Sequence, residues 1–438
     1  MIDFLPDLRS STILRGALLC GTLALVGCAG QSPALPTSTA PFPLAGTDTE
    51  QQAPAASSSI GKVGGSVALL LPLSGPLQPV GEVLENAAKL AFTNTSGPSL
   101  DIRDTAGTPQ GAASAAQAAI AAGDGLILGP LTSAEAQAVA PVAKAANVNV
   151  LAFTNDSSVA APGIWPLGIS PSQQVQRVLQ VAVSAGRTQF AALLPDSDFG
   201  HSLGTALQTE TASLSEPSPS ITFYEPGFSG LNQAVESVSD FADRGQGLMA
   251  QIKAAQDLNT AAGRAEALQL QHQPIPPPAF DALFIGATAG EELAEIATLL
   301  PYYSVNAPQV QLLGPALWAN VATAMGHNGV YSGALYAAPD PADAAVFDAK
   351  YQTVYGSAPP AIADVAFDAA AIAQLLASGG GDYTLQSLTN PAGFSGTDGV
   401  LQLQPNGQVQ RGLAVFQVAP GGPVITSPAP TTLSPPNS

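Results

Sequence analysis

Residues 67–71 read Val67-Ala68-Leu69-Leu70-Leu71, an unbroken apolar run. Such runs are typical of strands in a parallel sheet, because helices cover both faces of the sheet and bury every side chain. The apolar residues that follow recur at helical spacing. They are Val80, Val83, Leu84, Ala87, Ala88 and Ala91. A buried strand followed by an amphipathic helix is the first half of a βαβ unit. This stretch predicts an α/β fold with a doubly wound parallel sheet.

The same alternation continues through most of the chain, which predicts several βαβ units. Further strands are predicted at 100–103, 126–128, 148–153, 190–194, 221–224, 281–285 and 310–313. Helices are predicted at 110–121, 133–145, 175–185, 203–214, 231–244, 291–300, 344–355 and 364–377. A long helix or a helical pair is predicted at 248–270. Near the end, Pro405-Asn406-Gly407 separates apolar stretches at 399–404 and 410–418. Asn-Gly between two strands predicts a hairpin.

Composition excludes several classes of protein. The 438 residues include 13 Lys and Arg and 32 Asp and Glu, for a net charge of −19. Because 46% of the residues are hydrophobic and only 10% are charged, the chain is not a disordered acidic polymer. The acidic balance, without basic clusters, argues against a nucleic-acid partner. Two Cys exclude a disulfide scaffold and a Cys-rich zinc module.

Both ends of the chain differ in composition from the middle. Residues 1–27 are predicted to be a lipoprotein signal peptide, with an apolar stretch at 16–26 that is shorter than the ~20 residues of a membrane span. Leu25-Val26-Gly27-Cys28 resembles a bacterial lipobox, which implies lipidation of Cys28 and contact with the membrane through the lipid alone. Residues 28–64 are predicted to be a lipidated Pro/Ser-rich tether, and 420–438 a disordered tail.

The strand ends resemble those of type I periplasmic binding proteins of the leucine-binding kind. The matching stretches are Leu70-Leu71-Pro72-Leu73-Ser74-Gly75, Gly129-Pro130-Leu131-Thr132-Ser133, Asp196-Ser197-Asp198-Phe199-Gly200 and Phe280-Asp281-Ala282-Leu283-Phe284-Ile285-Gly286. The resemblance covers roughly 65–418 and implies two α/β lobes hinged around a central cleft. Lobe 1 is expected at 65–160 and 331–390, and lobe 2 at 161–330 and 391–419.

A narrower resemblance is to the penicillin-binding protein activators. It rests on the lipobox and on three stretches: Leu300-Pro301-Tyr302-Tyr303, Leu313-Gly314-Pro315-Ala316-Leu317-Trp318, and Leu388-Thr389-Asn390-Pro391-Ala392-Gly393-Phe394-Ser395-Gly396. The resemblance implies a non-enzymatic periplasmic lipoprotein at the outer membrane, with a peptidoglycan synthase (a penicillin-binding protein) as its partner. The best-studied activators also carry an N-terminal helical-repeat domain, and this sequence shows no repeat of that period.

The alternative hypothesis is the substrate-binding subunit of an ABC transporter, with a permease as partner and an amino acid or related small solute as ligand. Ligands of open α/β sheets bind beyond the carboxyl ends of the strands. In lobe 1 these ends carry Ser74 and Gly75, Thr132 and Ser133, and Thr154 and Asn155. The resemblance assigns these residues to the ligand cleft. Their alternative roles are turns and a capping box, in which Thr132 is the cap and Glu135 stands three residues on.

In lobe 2 the resemblance assigns Phe199, Gly200 and Gly286 to the cleft, and the alternative for Phe199 is core packing. Asp196 and Asp198 have the form of an acid–base pair, but carboxylates before a helix more often cap it. Amino-acid receptors of this family place an acid after the strand predicted at 310–313. Residues 314–318 contain none, so an ammonium group is expected to bind poorly unless Glu291 or Glu292 replaces that acid.

Nothing in the sequence indicates catalysis. There is no Gly-x-Ser-x-Gly elbow and no Walker loop. His201, His272 and His327 stand far apart without metal-ligand spacing. Gly123-Asp124-Gly125 precedes a strand, whereas a dinucleotide-binding loop follows one. We therefore expect no catalytic residue, no metal and no cofactor.

Overall fold

The computed structural model describes residues 65–92, 97–379 and 382–433. The strands are β1 (Ser66–Leu71), β2 (Ser99–Asp104), β3 (Leu126–Leu128), β4 (Asn149–Ala152), β5 (Ile164–Pro166), β6 (Phe190–Pro195), β7 (Ser220–Tyr224), β8 (Ala282–Ile285), β9 (Gln311–Gly314), β10 (Leu335–Ala338), β11 (Phe394–Gly396), β12 (Gly399–Leu403), β13 (Val409–Arg411), β14 (Ala414–Gln417) and β15 (Val424–Ser427).

The α-helices are α1 (Gln78–Ala91), α2 (Pro109–Ala122), α3 (Ser133–Ala146), α4 (Pro171–Ser184), α5 (Asp198–Ser213), α6 (Phe228–Ser239), α7 (Phe241–Asp257), α8 (Ala261–Gln271), α9 (Gly290–Tyr302), α10 (Ala322–Gly326), α11 (Pro341–Tyr355), α12 (Ala363–Ser378) and α13 (Leu385–Leu388). Three short 3-10 helices lie at Ser157–Val159, Ala316–Asn320 and Gly329–Tyr331. None of the described helices is long and apolar enough to cross a bilayer.

Lobe 1 contains a five-stranded, all-parallel sheet in the order β2-β1-β3-β4-β5. The apolar run that predicts β1 is fully buried, since residues 67–71 have no exposed surface. One face of the sheet packs on α1 and α12, and the other on α2 and α3. The prediction of a doubly wound parallel sheet is confirmed, because helices cover β1 from both sides.

Lobe 2 contains a seven-stranded sheet in the order β15-β14-β10-β9-β8-β6-β7. The strands from β7 to β10 pair in parallel, whereas β14 pairs antiparallel with both β10 and β15. The stretch predicted as one helix or two is the helical pair α7–α8, which breaks at Leu258 before Thr260 caps α8. The predicted helix 231–244 also ends early, because Asp240 takes a left-handed conformation that closes α6.

A third, small sheet has the order β11-β12-β13 and is antiparallel. The predicted Asn-Gly hairpin joins β12 to β13, and the amide of Gln404 donates to the carbonyl of Gln408 at 2.8 Å across it. This sheet packs on lobe 1, since Leu401, Leu403 and Val409 belong to the lobe 1 core and the Trp165 indole donates to the Gln404 carbonyl at 2.8 Å.

The chain passes between the lobes three times, at 167–170, 339–340 and 412–413, which we call the first, second and third crossings. These positions correct the expected lobe boundaries. Strand β5 lies within the 161–330 stretch expected in lobe 2 but belongs to the lobe 1 sheet. Strand β10 lies within 331–390, expected in lobe 1, but belongs to the lobe 2 sheet. Residues 394–411 pack on lobe 1, although 391–419 was expected in lobe 2.

The expected disordered tail is also corrected, because part of 420–438 is strand β15. Arg177 of α4 holds this segment in place. Its guanidinium donates to Ser427 Oγ at 2.7 Å, to the Pro428 carbonyl at 2.9 Å and to the Leu413 carbonyl at 2.8 Å. Burial lowers the pKa of Arg177. The expected signal peptide, Cys28 and the tether lie outside the described residues, as do 434–438.

Replacing Arg177 by Met keeps the aliphatic stem and removes three hydrogen bonds from the third crossing and from β15. We expect the free energy of unfolding to fall by about 2 kcal/mol, the range for hydrogen bonds made by charged groups. Urea denaturation followed by circular dichroism measures this. Arg187→Met is the matched control, because Arg187 donates to the carbonyls of Gln309 and Pro308 at an exposed site. An equal loss in both variants would contradict a special role for Arg177.

Candidate functional site

The carboxyl ends of both sheets adjoin the crossings. Strand β5 runs directly into the first crossing and β10 into the second, each from its carboxyl end. In a parallel sheet the other carboxyl ends lie at the same edge. The loops that follow β1, β3 and β4 in lobe 1, and β6, β8 and β9 in lobe 2, therefore border the region between the lobes. The nine residues that the sequence assigns to a ligand cleft lie in these loops or in the first turns of the helices that follow them.

Ser74 and Gly75 lie in the loop between β1 and α1, and Asp104 shapes that loop. The Asp104 carboxylate accepts from the amides of Leu73 at 2.9 Å and Ala106 at 2.7 Å, and from the Ser74 hydroxyl. Slight burial raises the pKa of Asp104, but these hydrogen bonds outweigh it and lower the pKa overall. Gly75 has φ +80°, a conformation that favours glycine. The Ser74 hydroxyl is thus used within the loop.

Thr132 and Ser133 begin α3, and the predicted capping box is confirmed. The Thr132 hydroxyl accepts from the Glu135 amide at 3.3 Å and donates to Glu135 Oε2 at 2.8 Å, which also accepts the Thr132 amide at 3.0 Å. The Glu135 carboxylate is fully buried and accepts from the Thr105 hydroxyl at 2.5 Å. Ser133 is half-buried, and its hydroxyl has no hydrogen-bond partner within the described part of the chain.

Thr154 and Asn155 follow β4 and support the first crossing. The buried Thr154 hydroxyl accepts from the Asp156 amide at 3.1 Å, and the Thr154 carbonyl accepts from the Gly168 amide at 3.0 Å. A Cβ at Gly168 would lie only 2.8 Å from the Asn155 backbone nitrogen, so the crossing approaches this loop as closely as glycine allows. The side chain of Asn155 is exposed.

The predicted lobe 2 residues have packing roles. Phe199 is partly buried against the core between α4, α5 and the sheet, as its alternative reading expects. A Cβ at Gly200 would lie 1.9 Å from the Pro195 carbonyl oxygen. A Cβ at Gly286 would lie 2.9 Å from side-chain atoms of Leu194 and Pro195. Glycine at both positions lets a helix and a strand approach β6 closely.

Asp196 and Asp198 do not form a pair. Asp196 Oδ1 lies 2.7 Å from His201 Nε2, and the His201 ring lies 4.3 Å from that of Phe223. Asp198 is the first residue of α5, and Ser197 caps this helix by accepting from the Gly200 amide at 3.2 Å. Neither carboxylate is the cap that the alternative expected, because Ser197 caps α5 while Asp198 stands in its first turn and Asp196 faces His201.

Trp318 fills the carboxyl edge of β9, where amino-acid receptors carry an acid. Its indole is fully buried, donates to the Ala287 carbonyl at 2.8 Å and packs edge-on to Tyr331 with ring centres 5.9 Å apart. The ring covers Gly314 so closely that a Cβ there would lie 2.2 Å from it. Glu292, one of the two candidates to replace that acid, lies in the first turn of α9 and accepts from the Tyr224 hydroxyl at 3.4 Å. Burial and then the Glu292 charge raise the pKa of Tyr224.

The sequence analysis missed a charged cluster beside the first and third crossings, in which Asp368 and Arg411 are buried and Asp364 and Asp398 are half-buried. It consists of Asp364 and Asp368 of α12, Asp398 of the turn between β11 and β12, and Arg411 of β13. A signal for it exists, since Asp364 and Asp368 stand four residues apart in a stretch of Ala, Val and Phe and so share one face of a helix. The partners Asp398 and Arg411 come from elsewhere in the chain.

The described residues contain no group of three or more His, Cys, Asp and Glu side chains placed to hold a metal ion. Two pockets lie away from the predicted cleft. One, of 380 Å³, is lined mainly by Lys89, Phe92 and residues 97–100, next to residues that are not described. The other, of 180 Å³, is lined by 305–307, Leu312 and residues 329–330.

Two substitutions distinguish capping from ligand contact at α3. Thr132→Ala removes the cap and the hydroxyl that faces Glu135, so we expect the free energy of unfolding to fall by about 1 kcal/mol or more. Ser133→Ala removes a hydroxyl without an internal partner, and we expect a change within about 0.5 kcal/mol. Chemical denaturation of both variants tests this. A larger loss for Ser133→Ala than for Thr132→Ala would show that the hydrogen-bond assignment is wrong.

Comparison with known proteins agrees with this architecture. Residues 66–224 match the family model described as periplasmic binding protein. An uncharacterised protein of Rickettsia prowazekii is 23% identical over 178 residues, which are 40% of this chain and 48% of that protein. The chain thus matches less than half the length of this relative.

Solved structures extend the similarity to most of the chain. The C-domain of LpoA from Haemophilus influenzae, a regulator of PBP1A, is 18% identical with a TM-score of 0.59, and the match covers 82% of this chain and 99% of that domain. Against full-length LpoA the match covers only 59% of that protein. A Rhodospirillum rubrum protein described as a branched-chain amino acid ABC transporter is 16% identical with a TM-score of 0.63, covering 82% and 99% of the two chains. The described chain thus has the type I periplasmic binding protein fold, and residues 66–224 match the family model for periplasmic binding proteins.

Proposed function

We propose that this protein is a non-enzymatic regulator of a peptidoglycan synthase, a penicillin-binding protein, with a binding-protein body that recognises the synthase and no small solute. One observation carries the proposal: three of the four hydroxyls expected to grip a ligand already have partners inside the protein.

Three of the four hydroxyls assigned to the cleft are used internally. The Ser74 hydroxyl bonds to Asp104, that of Thr132 to Glu135, and that of Thr154 to the Asp156 amide. A ligand carboxylate that took the hydroxyl hydrogen of Ser74 or Thr132 would have to break an existing hydrogen bond, and a buried polar group left without a partner costs about 1–3 kcal/mol. Such positions contribute little net affinity for a solute.

The end of β9 supports the same proposal. Residues 314–318 offer no carboxylate, and the buried Trp318 ring occupies this edge of the sheet. An ammonium group desolvated here without a counter-charge would lose several kcal/mol. A zwitterionic amino acid is therefore expected to bind poorly at the carboxyl edge of β9. The likeness to the C-domain of LpoA agrees with a body of this fold that serves a regulator.

The predicted segment 1–64 completes the proposal. A signal peptide over 1–27 and a lipid on Cys28 would hold the protein at the periplasmic face of the outer membrane. A Pro-rich tether over 28–64 would let the folded body reach a synthase at a distance from that membrane. Replacing Cys28 by Ala should leave the protein in the soluble periplasmic fraction, as cell fractionation with and without the substitution would reveal.

The regulator role is tested by glycan polymerisation in vitro. Each purified synthase from the same cell is assayed on its lipid-linked substrate with increasing amounts of this protein. We expect the initial rate for one synthase to rise and saturate, as binding to a defined site requires. An amino-acid receptor of the same fold is the control and should have no effect. If no synthase from that cell responds, the proposal fails.

A second candidate is the solute-binding subunit of an ABC transporter. The observation that favours it is the unpartnered Ser133 hydroxyl at the start of α3, where helix amides attract carboxylates. A thermal-shift panel of amino acids, cell-wall peptides and muropeptides tests it. A ligand at 100 times its dissociation constant adds about 2.7 kcal/mol to stability. A rise in melting temperature with one compound class, abolished by Ser133→Ala, would favour transport. If no compound raises the melting temperature, the regulator is the better-supported of the two candidates.

A further inference from the structure

The helical pair α7–α8 extends from the end of lobe 2 that lies away from the crossings. Helix α6 follows β7 and carries the chain back to the amino ends of the strands, because β7 and β8 both run parallel to β6. The pair stands between α6 and β8 in the chain, so it is attached at this amino edge. The carboxyl edge, with the predicted ligand residues, is at the opposite end of the sheet.

Arg244 fixes the base of the pair. Its guanidinium donates to the carbonyls of Pro276 and Tyr303, each at 2.7 Å, and its Cζ lies 5.8 Å from the centre of the Phe241 ring. These contacts join the start of α7 to the segment after α8 and to the end of α9. Because the base is held to lobe 2, a partner that binds the pair has less conformational freedom to remove.

Most of the surface of the pair faces outward. Only Ala255 of α7 and Gly263 and Ala267 of α8 are buried, and the main contact of the two helices is with each other. Three large apolar side chains on the pair are exposed, namely Met249, Leu258 and Leu268. Domains are ordinarily built from at least two packed layers, and this single layer of two helices therefore has an apolar face that a second layer would cover.

The pair carries no net charge, although the chain as a whole is strongly acidic. Residues 241–271 contain three Asp or Glu and three Lys or Arg, whereas the net charge of the chain is −19. Two copies of an acidic protein repel each other wherever their acidic surfaces meet. The helical pair is a surface on which two copies can meet without this repulsion.

The charges on the outward face of α7 are complementary to each other. In two helices packed antiparallel about a two-fold axis, residues at equal distances before and after the midpoint lie opposite each other. With the midpoint at Leu248, the exposed Asp243 of one copy faces the exposed Lys253 of the other, and the reverse pair forms as well. Within one chain Lys253 pairs with Asp257 at 3.1 Å, but both side chains are largely exposed and such a pair contributes little. Lys253 is therefore available to a second copy.

The other positions on this face match in size. The pairs opposite each other are Ala242 with Ala254, Gln246 with Ala250, and Gly247 with Met249, and all six residues are exposed in the single chain. Small side chains let two helix axes approach to about 8 Å. Met249 would then cover Gly247 of the other copy, so that its exposed apolar side chain is removed from water.

We propose that α7–α8 is the interface of a homodimer, in which the outward faces of two α7 helices pack antiparallel about a two-fold axis at Leu248. Helix α7 has 17 residues and is about 25 Å long, and a layer of two helices is about 20 Å wide. Contact over this face covers about 500 Å² on each copy, or about 1,000 Å² in total, at the low end for a specific interface. The dimer is therefore expected to be weak and reversible. It does not depend on the proposed function.

Sedimentation velocity of the purified full-length protein at increasing concentration tests the dimer. Every sample carries Cys28→Ala, so that no lipid adds an association of its own. We expect a reversible shift from monomer to dimer as the concentration rises. Lys253→Asp places two pairs of like charges across the axis and should raise the dissociation constant about tenfold or more.

An exchange of the two charges distinguishes this interface from any other. Asp243→Lys combined with Lys253→Asp restores two ion pairs across the axis and should return the dissociation constant toward that of the unsubstituted chain. Val346→Asp introduces an acid at an exposed apolar position of α11 in lobe 1 and should leave the dimer unchanged. A protein that stays monomeric at every concentration would overturn the proposal. So would a dimer that Lys253→Asp does not weaken or that the exchange does not restore.

Discussion

The architecture depends on two buried or half-buried guanidinium groups that hold backbone carbonyls at the crossings between the lobes. Arg411 donates to Leu167 of the first crossing from a position beside the third, and Arg177 donates to Leu413 of the third crossing and to the segment around β15. At these points the chain leaves one sheet for another and has no neighbouring strand. Each arginine therefore supplies the hydrogen bonds to backbone carbonyls that a paired strand would otherwise make. A planar guanidinium suits this task, because its donors are fixed in a fork and it stays charged when partly buried. The carboxyl ends of β5 and β10 lead directly into the first and second crossings.

The polar side chains at the strand ends illustrate how one residue pattern serves either recognition or architecture. Ser74, Thr132 and Thr154 stand where a receptor would contact its solute, yet their hydroxyls complete a loop, a helix cap and a crossing. Gly200 and Gly286 allow close contact with β6. Trp318 covers Gly314 and fills the edge where a receptor of amino acids places its acid. A binding-protein fold arranged in this way keeps its two lobes but has few of these groups free to hold a solute. This supports the proposed regulator more than the proposed transport subunit.

The charged cluster of Asp364, Asp368, Asp398 and Arg411 is energetically unfavourable for a protein interior. Removing charged groups from water costs more free energy than their mutual attraction recovers, unless the ion pairs are close and fully hydrogen-bonded. Here three carboxyl groups share one guanidinium, and Arg411 Nη1 lies 3.6 Å from Asp398 Oδ2 and 3.8 Å from Asp368 Oδ2. The raised pKa values of Asp364 and Asp368 are the expected response, because protonation lowers the charge that must be buried. A well-packed apolar group in the same place would give more stability and no response to protons.

The sequence by itself determined the elements whose cause is local. The apolar run 67–71 gives β1, Thr132 with Glu135 gives the capping box, and Asn406-Gly407 gives the hairpin, since each depends on residues within a few positions. The tertiary structure decided the features that depend on residues far apart in the chain, namely strand pairing, the crossings and the charged cluster. Strands β5, β10 and β15 were not predicted from the sequence, and each is fixed by the strand that pairs with it. The positions of the crossings differ from the expected lobe boundaries for the same reason. Asp364 and Asp368 are adjacent on one helix face in the sequence, but Asp398, Arg411 and Leu167 reach them only through folding. Electrostatic energy depends on distance in space, and separation along the chain does not reveal it.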